Sequence, residues 1–256
     1  MSKHPPSGST GIFSDIRYFF LNKPEYQTRI RFQSEEERIV YRQSILQRTG
    51  IGMNEYSVLN IHRIGIETPA TFVFEELLKW NGDSSCWPNH IAKVTLKDGE
   101  LQNIKVNLFG WPKNPFSHKK GLAVLNLFHL FNMTALKIQK TPAPFDFDNA
   151  RFLLYECSGG YPIGVFSMYV RSSIPERGEK EMSQLFMMVG FNFYGSEKLS
   201  KLNIVNKTWQ AIHNRVTSNT MCRFKQLCEW RFEKFVNGGI HISELYNQSI
   251  SPEKSG

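Results

Sequence analysis

The sequence predicts an α+β domain in which a curved antiparallel sheet is closed by one long C-terminal helix. Three observations lead there. Val205 to Phe235 runs for about 30 residues with no Gly or Pro and with helical periodicity, a length near 45 Å at 1.5 Å per residue. Before it lie several segments of strand composition, separated by the turn signals Asp98-Gly99 and Ser158-Gly159-Gly160. The chain of 256 residues is 41% hydrophobic, enough to bury one sizeable core.

Taken in order, residues 1–11 are polar and rich in helix breakers and predict a disordered tail. Ile12 to Leu21 is a short apolar-aromatic segment ended by Asn22-Lys23-Pro24, suited to packing on the main domain or to touching a membrane surface. Ser34 and Glu37 have capping-box spacing, which starts a helix at Glu35 that runs to about Arg48. Its apolar stripe is thin, as expected of an accessory helix. Residues 1–50 therefore read as an N-terminal extension, 51–240 as the domain and 241–256 as a tail.

Within the domain, Tyr56–Glu67 is rich in Val, Ile and Leu and predicts the first strand. Thr68 as N-cap and Pro69 at the first helical position open a helix over Ala70–Trp80. A second short turn or helix follows at Ser84–His90. Ile91–Lys97 and Leu101–Phe109 form a hairpin, and Trp111–Gly121 reads as a loop able to act as a lid. Leu122–Phe131 predicts a helix and Thr134–Lys140 a strand; Arg151–Cys157, Ile163–Ser172 and Leu185–Tyr194 complete the strands. On the long helix, Val205, Trp209, Ile212, His213, Val216, Thr220, Phe224, Leu227 and Phe235 share one side at 100° per residue. Asn214, Arg215, Ser218, Lys225, Gln226, Glu229 and Glu233 share the other.

Composition narrows the partners. The formal charge is +8, yet the basic residues are scattered and form no block, which argues against nucleic acid and leaves peripheral contact with an anionic membrane open. Four cysteines show no metal spacing and no CxxC, consistent with reduced thiols and a cytoplasmic chain. No signal-peptide core and no run of 18 apolar residues occurs. The sequence has no phosphate-cradling glycine loop, no HExxH and no GxSxG, and its histidines lack metal spacing, so no cofactor and no metal is expected.

The order strand, two helices, about six antiparallel strands and a long helix resembles the helix-grip fold of the START/Bet v 1-like (SRPBCC) superfamily. Ile66-Glu67-Thr68-Pro69-Ala70 with Val73-Phe74, Trp87-Pro88 before Ile91, and Trp209 to Phe235 carry the resemblance over roughly residues 54–236. It implies a cavity between helix and sheet that takes lipids, sterols, polyketides or other apolar molecules. Some members of the superfamily catalyse cyclisation or hydrolysis, and others only bind or carry.

The expected function is non-covalent binding of an apolar small molecule or lipid. Its lining would come from Trp209, His213, Val216, Thr217, Thr220 and Phe224 on the helix and from Phe166, Met168, Phe191 and Phe193 on the strands. Met repacks around varied ligands, which suits such a wall. His213 and Thr217 are the expected polar anchors, with plain core residues as the alternative at each position. A cyclase- or hydrolase-like enzyme using His213 with Glu156 or Arg171 is the rival reading, and an interaction module with a collapsed cavity is another.

Overall fold

The computed structural model describes residues 17–49, 58–78, 92–97, 100–108, 128–138, 151–158, 164–173, 182–191 and 203–238. Between residues 92 and 158 it describes backbone alone, and the same holds for a few positions at element ends. Strand β1 spans Val58–Ile66, β2 Ala92–Lys97, β3 Glu100–Leu108, β4 Phe128–Ile138, β5 Arg151–Ser158, β6 Val165–Ser172 and β7 Ser183–Phe191. Helix α1 is Glu35–Thr49, α2 Ala70–Leu78 and α3 Asn203–Asn237, and a π-helical turn occupies Arg17–Leu21. The seven strands form one antiparallel sheet in the order β1-β7-β6-β5-β4-β3-β2. This is the element order of a helix-grip fold.

Local chemistry explains the boundaries. β2 and β3 pair Lys97 with Glu100, so the hairpin connection is the two residues where Asp98-Gly99 predicted one. Register breaks at Leu96/Lys97, Val106/Asn107 and Ala135/Lys137 add local twist and bend the sheet. α1 begins where the capping box placed it: the Glu37 amide donates to Ser34 Oγ at 3.2 Å, and Glu37 Oε2 accepts from the Gln33 amide at 2.6 Å. α2 begins at Ala70 as predicted, with the Val73 amide bonded to the Pro69 carbonyl. Thr68, however, does not cap it through its side chain, because its buried hydroxyl has no hydrogen-bond partner.

The predicted helix over Leu122–Phe131 gives way at its end to β4, which already pairs Phe128 with Leu108. Only 128–131 of that prediction are thereby shown to be strand, and 122–127 lie outside the described residues. The short helix predicted at 84–90 and the lid loop at 111–121 lie outside the described residues, as do 1–11 and 241–256.

α3 lies along β1, with α2 against its C-terminal part through Phe72 and the rings of Phe232 and Phe235 at 5.3 and 6.1 Å. Buried Glu76 of α2 pairs with Arg231. The prediction of an inward stripe on α3 holds for Thr220, Phe224 and Leu227, all buried, but not for Ile212, which is 40% exposed. The side expected to face solvent is largely covered: Ser218 and Glu229 are 5% and 9% exposed. Two partners cover it. One is β1, which takes Gln210 Nε2 on Asn60 Oδ1 at 3.3 Å, Lys225 Nζ on the Gly65 carbonyl at 2.8 Å, and Glu229 Oε1 on the Glu67 amide at 2.9 Å. The other is the N-terminal segment.

That segment runs along the outer flank of α3. Asn219 Nδ2 donates to the Asn22 carbonyl at 3.1 Å, and Gln226 Nε2 to Glu25 Oε2 at 3.2 Å. Residues 28–30 then pair with β1 as a short extra strand, the Ile30 amide donating to the Ile61 carbonyl and the Arg63 amide to the Thr28 carbonyl. Thr28 Oγ1 is buried between His62 Nδ1 at 2.9 Å and Ser218 Oγ at 2.7 Å, so one hydroxyl ties segment, strand and helix together.

Substituting Thr28→Val keeps the shape and removes that hydroxyl from two buried partners. We expect a loss of about 1–3 kcal/mol in urea unfolding, against less than about 0.5 kcal/mol for the exposed Leu21→Ala. Equal effects of the two would show that the Thr28 bridge contributes nothing.

Candidate functional site

The site is built on the face of the sheet that looks at α3. Asn60 and His62 define that face, since Gln210 reaches Asn60 and Asn214 stands beside His62. Alternation then assigns the neighbouring strands. In register, His62 pairs with Met187 and Met187 with Met168, while Asn60 pairs with Val189 and Val189 with Phe166. The result is two rows leading from polar residues on β1 to apolar ones on β7 and β6. Met168 and Met187 are each 2% exposed, and Phe166 is half-buried.

Across from this wall, α3 contributes buried Thr220 and Phe224, with His213, Val216 and Thr217 half-buried one or two turns earlier. Of the predicted lining, the structure thus brings Phe166 and Met168 to the helix-facing side and Thr220 and Phe224 into the core. Trp209 lies in α3 and Phe191 ends β7 opposite Val58, both described by backbone alone, and Phe193 lies outside the described residues.

The residues of the rival catalytic set do not converge. Arg171 pairs in register with Gln184, on the sheet face turned away from His62, and donates to Gln184 Oε1 through Nε at 3.0 Å and Nη2 at 2.7 Å. Its guanidinium also lies 4.8 Å from the ring centre of Phe186, which stacks on Tyr169. Glu156 sits on β5 opposite Val165, again by backbone alone. Arg231 pairs with Glu76.

Two neutral imidazoles define the electrostatics. Burial pushes His62 down from 6.5 to about 3, helped by the positive charge of Arg29 and by neighbouring His213, while a hydrogen bond with the Asn214 side chain pulls the other way. Burial alone pushes His213 down to about 4. Near pH 7 both rings are uncharged and act as hydrogen-bonding groups. Sequence reading missed Asn60, His62 and Asn214. The available signal was parity: Asn60 and His62 occupy the same strand face as Ile64 and Ile66, where apolar residues were due.

Asn60 Nδ2 is buried without a hydrogen-bond partner, and the His62 and Asn214 side chains face each other. A separate depression of about 230 Å³ opens at the end of β1, lined by Glu67, Glu229, Phe232, Glu233, Val236 and Asn237, and includes none of the predicted lining. Among the described residues no cluster of three His, Cys, Asp or Glu could hold a metal ion, and no helix is long and apolar enough to cross a membrane. Cys222 and Cys228 are buried on α3 and form no disulfide.

No protein-family model and no curated protein matches the chain. Similar solved structures include the Zhui aromatase/cyclase from Streptomyces sp. R1128, with 15% identity, a TM-score of 0.42, and 72% of this chain and 99% of that one covered. A conserved protein from Geobacillus kaustophilus shares 12% identity at a TM-score of 0.40, over 67% of this chain and 95% of its own. Ara h 8.0201 shares 10% identity at a TM-score of 0.41, over 69% and 98% respectively.

The depressed histidines set a pH dependence. Each folded value lies below the unfolded one, so unfolding takes up a proton as pH falls below about 6.5. Stability from this source is full above that pH and declines until the folded values, about 3 for His62 and about 4 for His213, are reached. The decline is roughly 1 kcal/mol per pH unit for each ring. A His62→Gln chain should therefore lose stability less steeply than wild type between about pH 6 and 4.5. Parallel curves in urea titrations at several pH values would refute a buried neutral His62.

Proposed function

We propose that this chain binds an apolar small molecule or lipid non-covalently between α3 and the helix-facing side of the sheet. The observation that carries this reading is the row His62–Met187–Met168, in which two adjacent strands present unbranched thioethers beside a buried polar residue. Methionine rotates about three bonds and adapts to varied apolar shapes, and the polar end fixes orientation. Burying apolar ligand surface at about 25 cal/mol per Å² drives affinity, offset by lost translational freedom and side-chain ordering.

Carriage is better supported than catalysis. A general base works best with a pKa near the operating pH, and His213 at about 4 is a weak proton acceptor there. Arg171, on the opposite sheet face, is engaged with Gln184 and Phe186. Peripheral membrane contact has a narrower basis, because the Phe20 and Leu21 carbonyls are engaged by Arg215 of α3 and only Leu21 of the described apolar residues in that turn is shown projecting, at 69% exposure.

Native mass spectrometry with organic extraction tests the proposal. The purified chain should retain or take up about one apolar molecule per copy, and Met187→Trp, which puts a larger side chain beside His62, should lower that occupancy at least about tenfold. A wild-type chain that emerges empty and takes up no apolar probe would end the carrier reading.

A further inference from the structure

We infer that the N-terminal segment from Asn22 to Ile30 is a strap that opens without the rest of the fold and that acid releases, its catch being the buried contact of Thr28 with His62. The device is independent of any ligand. Geometry makes the strap separable. Between Leu21 and Ile30 every residue is exposed or half-buried except Thr28, which is buried. The strap meets β1 through one isolated bridge, Arg29 with His62, and two backbone hydrogen bonds. Toward α3 it is held by Asn219 on the Asn22 carbonyl and by the exposed pair of Gln226 and Glu25. A segment with so little buried surface opens at a fraction of the free energy of global unfolding.

The acid response comes from what the catch covers. His62 is buried, with Nδ1 on Thr28 Oγ1 at 2.9 Å and a hydrogen bond to the Asn214 side chain. Thr28 Oγ1 also meets Ser218 Oγ at 2.7 Å, and both hydroxyls can rotate, so the bond at Nδ1 can reverse when the ring gains a proton. The added charge is what the closed strap resists. It would lie out of water, with Arg29 of the strap and His213 of α3 as the charged and titratable groups acting on it. Met187 of β7, directly across, supplies no counter-charge. Opening admits water to the ring and carries Arg29 away, while Asn214 stays on α3. Closed, the ring is held at about 3; open, it returns toward the ordinary value of 6.5. The open form therefore binds more protons, and falling pH below about 6.5 favours it. Release bares the Ile61 carbonyl and Arg63 amide on the edge of β1.

Native-state hydrogen exchange on the full chain tests this. The Ile30 and Arg63 amides donate across the junction of strap and β1 and report opening, while the amides of the β6–β7 ladder report the whole fold. Corrected for intrinsic exchange rates, the junction amides should be at least about tenfold less protected than the ladder at pH 7.5. Their opening constant should then rise about ten- to thirtyfold by pH 5. His62→Gln, neutral at every pH, should hold that rise below about twofold. Junction amides as protected as the ladder would mean that no separate strap exists. An opening constant that stays level from pH 7.5 to 5 would mean that acid does not release it, and an undiminished rise in His62→Gln would place the proton elsewhere. Any of the three overturns the inference. The first two are read on wild type, so a His62→Gln chain that fails to fold does not spare it.

Discussion

The outer edge of β1 is the constraint to which the rest of the molecule answers. β1 pairs with β7 on one side only, and its odd-numbered residues point backbone groups the other way. An unpaired edge of this kind is a template for aggregation and is covered in stable proteins. Here two unrelated devices cover it in succession. The Ile61 carbonyl and Arg63 amide are met by Ile30 and Thr28, and the Gly65 carbonyl and Glu67 amide by Lys225 and Glu229. The second pair is itself ion-paired at 2.6 Å, so each charge has both a backbone and a side-chain partner.

This edge fixes the rotation of α3. Lys225 and Glu229 must face β1, and at 100° per residue they lie about 150° round the helix from the Thr220, Phe224 and Leu227 stripe. The apolar stripe is thereby turned toward the interior instead of flat onto the strand. The third flank, with Arg215, Asn219 and Gln226, is left for the N-terminal segment. A helix enclosed on three sides needs polar residues on two of them, because those partners are strand edge and extended chain with backbone groups to satisfy. Its weak overall amphipathicity follows from that arrangement.

Much of the fold was legible because it rests on local signals. The capping box at Ser34 and Glu37, Pro69 ahead of α2, the two-residue link between Lys97 and Glu100 and the uninterrupted run of α3 each act within a few residues. The N-terminal segment was not legible. Its contribution is three residues of pairing and a few side-chain bonds, with no periodicity to mark it. Asn214, Ser218, Lys225 and Glu229 read as a solvent face for a related reason: composition records polarity, not whether the hydrogen-bond partner is water or a strand edge. Met168 and Phe224 were visible as candidates since large apolar side chains on inward positions are the default. Asn60 and His62 required knowing which face of β1 the helix would take.

The same geometry sorts charge from polarity. The ion pairs Lys225–Glu229 and Arg231–Glu76 gather toward the C-terminal half of α3, where β1 ends and α2 packs. Earlier along the helix, the groups that meet β1 are amides, hydroxyls and neutral imidazoles: Gln210, Asn214, Ser218, His62 and His213. A buried ion pair stays put because breaking it leaves an uncompensated charge, at a cost of several kcal/mol. A buried neutral group exchanges one hydrogen bond for another at about 1 kcal/mol. The two ends of the α3–β1 contact therefore differ in how readily they can trade partners. The charged end holds the helix on the strand, and the neutral end, beside Met187 and Met168, is the end at which the proposed ligand would exchange one neutral contact for another.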